Sequence, residues 1–316
     1  MRFALAPLAG FTDAPFRMLC RECGADICYG EMVSAEGLAH GSAPTWHMTE
    51  TMPGEGPVAM QLFGADESSL AKATKALDDS IARTGGNVVE INLNAGCPVP
   101  KVVRSGAGAK LVHDPAKIGR LLAAMRENTA LPVTLKTRLG PHPRDTRIFE
   151  IVDAAEHAGA SGVIVHARYT SQMHGGDVHL DTLAETVARS HIPVTGNGSV
   201  VDAKTASEMA ATGVVAIMVG RAALSRPGVF TALKGKADGA TDPHALAGRH
   251  LDLLLEFRQL LAKRHPGERI MDADAMASLK MRTHMFRYFS GMPGAAALRA
   301  RMNGVRTLAD VLDLLA

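Results

Sequence analysis

Two hydrophobic rhythms alternate along the chain. Short apolar runs recur at Phe3–Leu8, Ile27–Met32, Pro57–Phe63, Asn87–Leu93, Pro132–Arg138, Gly162–Arg168, Ile192–Gly196 and Val214–Val219. They have the length of buried strands. Between most of them lie longer stretches with apolar residues three and four apart, such as DPAKIGRLLAAMREN and DAKTASEMAATG, which predict helices. Pro132 and Pro193 open strands, where a missing N–H costs little. Asp114 and Asp202 stand where helix N-caps are expected. Eight strand-then-helix units predict a (β/α)8 TIM barrel, an α/β fold of roughly 250 residues. A doubly wound open sheet is the alternative and would differ in strand order.

After Phe230 the rhythm changes. KGKADGATDPHA reads as a linker, and from about Ala245 onward only helical patterns remain. Gly291 and Gly304 are expected at turns or helix C-termini. The expected organisation is a barrel over residues 1–236 and a small all-helical C-terminal domain over 237–316.

Composition narrows the classes. Of 316 residues, 47% are apolar but only 4% aromatic, and 31 are glycine. That suits close helix-on-sheet packing and excludes a β-sandwich or an aromatic-platform RNA module. The net charge of +2 is unevenly placed: residues 1–248 hold 23 Lys and Arg against 25 Asp and Glu, residues 249–316 hold 11 against 7. A basic tail on a neutral body points to a polyanion partner, or to a solvated helical face. MRFALAPLAGF lacks the pattern of a signal peptide. No run approaches the ~18 apolar residues of a membrane span. A cytoplasmic protein with reduced thiols is expected.

Catalytic groups of a barrel gather at the C-terminal ends of its strands. Gln61 falls near the end of the third strand, Asn92, Asn94 and Cys97 at the fourth, Lys136 and Arg138 at the fifth, and His166 and Arg168 at the sixth. Residues two apart share a face, and a bare ammonium in an apolar strand needs a reason. TGNGS with Asn197 and VGRA with Gly220 and Arg221 follow the seventh and eighth strands, where barrels often bind phosphate. Glycines there let backbone N–H groups approach an anion. No GxGxxG follows the first strand, which argues against a dinucleotide fold. The 13 histidines show no metal-ligand spacing, and no metal is expected. Cys20, Cys23 and Cys28 could join Cys97 around a cluster, but buried structural thiols are the favoured reading.

LAPLAGFTDAPFR, GEM, QLFG, INLNAGCPVPKVVRSGAGAKL, PVTLKTRLG, VHAR, GNG and VGRA together resemble the tRNA-dihydrouridine synthases. The likeness continues into KMRTHMFRYFSGMPGAAALRARM in the tail. It implies an FMN-bound barrel with a tRNA-binding helical domain, reducing uridine in tRNA to 5,6-dihydrouridine with NADPH. By matching motif, Pro7, Leu8 and Ala9 would lie along the flavin, Gln61 would bond its ring, and Lys136 and His166 would flank it. Asn197, Gly198, Ser199, Gly220 and Arg221 would hold its phosphate. Cys97 would be the proton donor, and Asn94 and Arg168 would bind substrate. Leu8 replaces a common Met, a volume-conserving change. Ser199 stands where an acid often follows.

The chemistry agrees. An unperturbed thiol, with pKa near ~8.5, is mostly protonated at neutral pH and can donate, although Lys101 and Arg104 nearby would favour thiolate. A cation at Lys136 would stabilise an anionic reduced flavin. Arg282, Arg287, Arg299 and Arg301 are expected to meet tRNA phosphates, and a monomer is expected. The alternatives are a dihydropyrimidine- or dihydroorotate-type flavin oxidoreductase acting on a free base, an aldolase using Lys136, and a non-catalytic RNA-binding factor.

Overall fold

The computed structural model describes residues 1–236 and 242–315. Its strands are β1 (Arg2–Leu5), β2 (Ile27–Ser34), β3 (Val58–Phe63), β4 (Val88–Ala95), β5 (Val133–Arg138), β6 (Val163–His166), β7 (Val194–Asn197) and β8 (Ala216–Val219). All are parallel and close into a barrel in chain order. β8 seals against β1, pairing Phe3 with Ile217 and Leu5 with Val219. This sequential closed order excludes the doubly wound sheet.

Strand alternation sorts the side chains. A large apolar cluster that includes Phe3, Leu5, Ile91, Leu93 and Leu135 fills the layer shared with the helices. A separate small cluster holds Ala4, Ala6, Tyr29, Ala59, Ile164 and Met218. Adjacent positions such as Phe3 and Ala4 thus serve opposite faces, as a period of two requires.

Five strands end differently from expectation: β2 runs on to Ser34 and β7 to Asn197, and the other three differ as follows. β1 stops before Leu8 because Pro7 has no N–H for the ladder. The Leu8 carbonyl instead accepts from the N–H groups of Phe11 and Thr12, both at 3.0 Å. β4 runs on to Ala95, so Asn94 still pairs in register with Lys136. β6 stops at His166, which puts Arg168 in the following loop. The aspartate caps form: Asp114 accepts from Lys117 N–H and Asp202 from Thr205 N–H, each at 2.9 Å.

The C-terminal part is helical, over Pro243–Arg264, Ala273–Met276, a π-helical turn Ala277–Met281, Arg282–Tyr288, Ala295–Asn303 and Leu308–Leu315. The expected boundary at 236/237 abuts residues 237–241, which lie outside the described residues. These helices pack on Ala14–Glu22, the first helix of the barrel. Arg249 pairs with Glu22 at 2.6 Å and Lys280 with Asp13 at 3.0 Å. No described helix is long and apolar enough to cross a membrane.

Arg17 anchors this region from inside. It is fully buried and pairs with the buried Glu55. It also donates to the carbonyls of Thr12 at 3.0 Å and Glu50 at 2.9 Å. Breaking one half of such a pair strands a charge. Arg17→Met should therefore cost about 3–5 kcal/mol in denaturant unfolding, and adding Glu55→Leu should recover part of it.

Candidate active site

A cavity of about 600 Å³ opens at the C-terminal ends of the strands. That volume suits a mononucleotide-sized ligand. Every residue given a role by the family resemblance lies on its wall, whereas Asn92, the other strand-end candidate of β4, is fully buried beneath it. Pro7, Leu8 and Ala9 come from the turn after β1, Gln61 from β3, Asn94 from β4 and Cys97 from the loop that follows. Lys136 and His166 come from β5 and β6, and Arg168 from the loop after β6. Asn197, Gly198 and Ser199 close β7, and Gly220 and Arg221 follow β8.

A column of hydrogen bonds positions the thiol. Tyr29 and Thr134 donate to Glu90, and Asn92 donates to Thr134 at 2.7 Å. Gln61 donates to Asn92 Oδ1 at 2.7 Å, and Asn94 donates to Gln61 Oε1 at 2.8 Å. Asn94 Oδ1 then accepts from the backbone N–H groups of Gly96 at 3.1 Å and Cys97 at 3.0 Å. Asn94 thus spends its carbonyl on the loop that carries Cys97. Gly108, at φ +59°, lies beneath this loop, and a Cβ there would meet the Cys97 carbonyl at 2.6 Å. The Gln61 amide keeps one N–H beyond the bond to Asn92.

The charged residues of the wall are all cationic. Lys136, Arg138, Arg168 and Arg221 line it, and no Asp or Glu does among the described residues. Burial, reinforced by Arg138, pushes Lys136 down to about 7; its ammonium meets only the Asn197 amide oxygen, at 3.2 Å. Burial and then Arg168 push Arg138 down to about 10. Burial, with Lys136 and the arginines, holds His166 far below the usual imidazole range and therefore neutral. Arg168 donates to the Gly176 carbonyl at 2.8 Å and to Ser199 Oγ at 2.6 Å, stitching two loops together. Gly198 has φ +132°, and a Cβ there would lie 2.8 Å from Val178. Ser199 has φ +53°, a conformation that non-glycine residues rarely adopt and that clusters at functional sites.

Sequence reasoning left Met32 and His174 out of the site, yet both line the cavity. Arg138, which it set on one strand face with Lys136 but gave no role, lines the cavity too and donates to the Gly96 carbonyl at 2.8 Å. His174 sits in a loop that carried no signal. Lys101 and Arg104 are exposed and off the wall. The cations in electrostatic reach of Cys97 are Lys136 and Arg138. Cys20, Cys23 and Cys28 are buried apart from the cavity. Burial pushes Cys28 up to about 12, which suits an inert packing thiol.

Fold and wall together define a (β/α)8 barrel whose cavity is lined by four Lys and Arg side chains and by the Cys97 thiol. The chain belongs to the dihydrouridine synthase family, which it matches over residues 4–316. It is 32% identical to a Mycobacterium leprae protein named a probable tRNA-dihydrouridine synthase, covering 98% of this chain and 86% of that protein. It is 31% identical to tRNA-dihydrouridine synthase B of Pseudomonas aeruginosa, covering 96% and 88%. A solved morphinone reductase shares the fold, with TM-score 0.53 and 11% identity over 78% of this chain and 90% of that one.

The depressed Lys136 has a measurable signature. Below about pH 7 the amine is charged both folded and unfolded, and the folded state bears its burial. As pH rises from about 7 toward the ordinary 10.5, only the unfolded chain keeps that proton, so stability rises. Lys136→Met should therefore stabilise the anion-free protein most below pH 7, on the order of 5 kcal/mol, and negligibly near pH 10.5. Melting temperatures of both proteins at pH 6 and pH 9.5 check this.

Proposed function

We propose that this chain reduces specific uridines of tRNA to 5,6-dihydrouridine, with FMN as cofactor and NADPH as reductant. The observation that carries the reading is the polarity of one cavity: a loop-borne thiol faces a carboxylate-free wall of cations. When bound, FMN supplies hydride transfer, from the nicotinamide to the uracil C6. The residues fit such a group. Gly198 leaves room for close approach, and Arg221 with the backbone of Asn197, Gly198, Ser199 and Gly220 offers phosphate donors. Pro7, Leu8 and Ala9 present a flat apolar edge for a ring, and the spare Gln61 N–H can reach a ring acceptor.

Lys136 gains a partner in this scheme. An anion in the cavity raises its proton affinity again, so it carries full charge in the loaded enzyme. It then opposes negative charge that builds during reduction. Neutral His166 can donate or accept beside the base without adding charge. Cys97 Sγ gives its proton to C5 of the uracil, completing saturation of the C5–C6 bond as NADPH becomes NADP⁺. Asn94 holds the loop at the height this transfer needs, and Arg168 stands at the substrate side of the cavity. The target base must leave its stack to reach the thiol.

Cys97→Ala should keep bound, NADPH-reducible flavin while dihydrouridine formation in tRNA falls at least ~100-fold. Mass spectrometry of the tRNA reads the product, and near-normal yield would refute the donor role.

The helical segment 237–316 is proposed as the tRNA-binding domain. Arg287 and Arg299 are exposed, and Arg287 lies over the Phe11 ring at 5.7 Å, close to the turn that forms the cavity wall. Arg301 is engaged with Asp313 at 2.9 Å. Replacing Arg287 and Arg299 with alanine should weaken tRNA binding and reduce the salt slope by about 1 for each. Filter binding at several salt concentrations measures it; an unchanged slope removes them from the interface.

A further inference from the structure

A second group of ligand-type side chains gathers where the barrel meets the C-terminal helices, off the cavity wall. His47 ends the short helix Ala43–His47, between β2 and β3. His265 and Glu268 sit on the turn that closes the helix Pro243–Arg264. In that turn Glu268 N–H donates to the His265 carbonyl at 3.2 Å. Pro266 precedes Gly267, whose φ of +85° only glycine adopts easily. Proline then positive-φ glycine is the type II signature, and it brings the first and fourth residues within ~7 Å.

The three side chains converge. His47 Nε2 lies 2.8 Å from Glu268 Oε2, and His265 Nδ1 lies 3.5 Å from Glu268 Oε1. One ligand atom from each residue falls within 4.8 Å of the other two. The other nitrogen of His265, Nε2, meets Glu50 Oε1 at 2.8 Å. Arg264 holds the second Glu50 oxygen. The imidazoles are mostly buried, with side-chain exposures of 17% and 19%.

We propose that His47 Nε2, His265 Nδ1 and the Glu268 carboxylate bind a divalent transition-metal ion of the zinc class. Two imidazoles and a carboxylate are the donors such an ion takes, with a fourth position left to water. Bonds of ~2.0–2.1 Å set a tetrahedral edge of roughly 3.3 Å; His47 and His265 approach the two different oxygens of Glu268 at 2.8 and 3.5 Å, near that edge, and one ligand atom from each residue lies within 4.8 Å of the others. Glu50 supplies what a ligating histidine ordinarily has, a carboxylate on its other ring nitrogen that fixes the tautomer. An exposed ion pair alone stabilises little and does not require two imidazoles to share one carboxylate. The ion ties the excursion after β2 to the helix that leads into the basic tail. His47 and Glu268 stand 221 residues apart, so no sequence spacing announces the site.

The test uses the full chain, stripped by chelator and titrated with Zn²⁺ and then Co²⁺. One equivalent should bind, the melting temperature should rise by several degrees, and the Co²⁺ spectrum should lack a thiolate charge-transfer band. Alanine at His47 or His265 should weaken binding at least ~100-fold, and Glu50→Gln by ~10–100-fold. Glu268→Gln, on an exposed turn, carries the test if a histidine variant fails to fold. Alanine at the exposed His157 should change nothing. Absence of saturable uptake, a thiolate band that moves the ion to the cysteines, or unchanged affinity in Glu268→Gln would overturn the site.

Discussion

The carboxamide of Asn94 is the contact on which the active face depends. It is the last member of a polar chain that begins at Tyr29 and Glu90 and passes through Thr134, Asn92 and Gln61. Each member after Glu90 is both donor and acceptor, so the chain has a single consistent direction. Its free end is the Asn94 oxygen, which takes the N–H groups of Gly96 and Cys97. A strand end is normally where backbone order fades. Here the strand extends its order past Ala95 through a side chain, and a buried, connected network rigidifies more than separate pairs do.

The second constraint is charge. Lys136, Arg138, Arg168 and Arg221 share a wall without a carboxylate among the described residues, an arrangement that costs folding free energy. The cost is contained rather than cancelled. Arg138 and Arg168 discharge their donors onto loop carbonyls, including those of Gly96, Tyr169 and Gly176. Lys136 sheds part of its charge, and His166 sheds all of it. The same interactions that make the wall tolerable also fasten the loops around it, so the cost and the preorganisation have one source.

The barrel was legible because eight apolar runs, regularly spaced, admit few topologies, and the closed order followed. The strand ends were less legible, since Pro7, Asn94 and Arg168 obey local hydrogen bonding rather than hydrophobic period. Glycine, asparagine and basic residues at strand ends were visible because they break the apolar pattern, whereas Pro7, Leu8 and Ala9, which line the cavity too, came from the family resemblance alone. Their bonding was not visible. Asn94 and Arg168, expected to bind substrate, line the cavity, and each also holds a loop: Asn94 that of Cys97, Arg168 those of Gly176 and Ser199. A side chain's type can be read from sequence, but the partner that uses up its donors comes from distant strands. The same limit hid the cluster of His47, His265 and Glu268.

The junction between barrel and tail explains how a cavity and a basic surface can act together. Helix Ala14–Glu22 starts a few residues beyond the cavity wall at Ala9, and its capping Asp13 pairs with Lys280 of the tail. Behind that pair lie two fully buried histidines: His284 against Phe16 with ring centroids 4.8 Å apart, and His250 against His284 at 4.4 Å. Burial keeps both below the usual imidazole range, His284 at about 4. Near neutral pH they are therefore uncharged flat rings, packing as aromatics rather than repelling each other. Phe11, on the same turn, meets His284 edge-on at 5.4 Å and carries Arg287 over its face. The residues that shape the cavity's rim are thus packed directly against the helix that presents the exposed arginine. The position of that helix relative to the cavity rim is therefore set by side-chain packing.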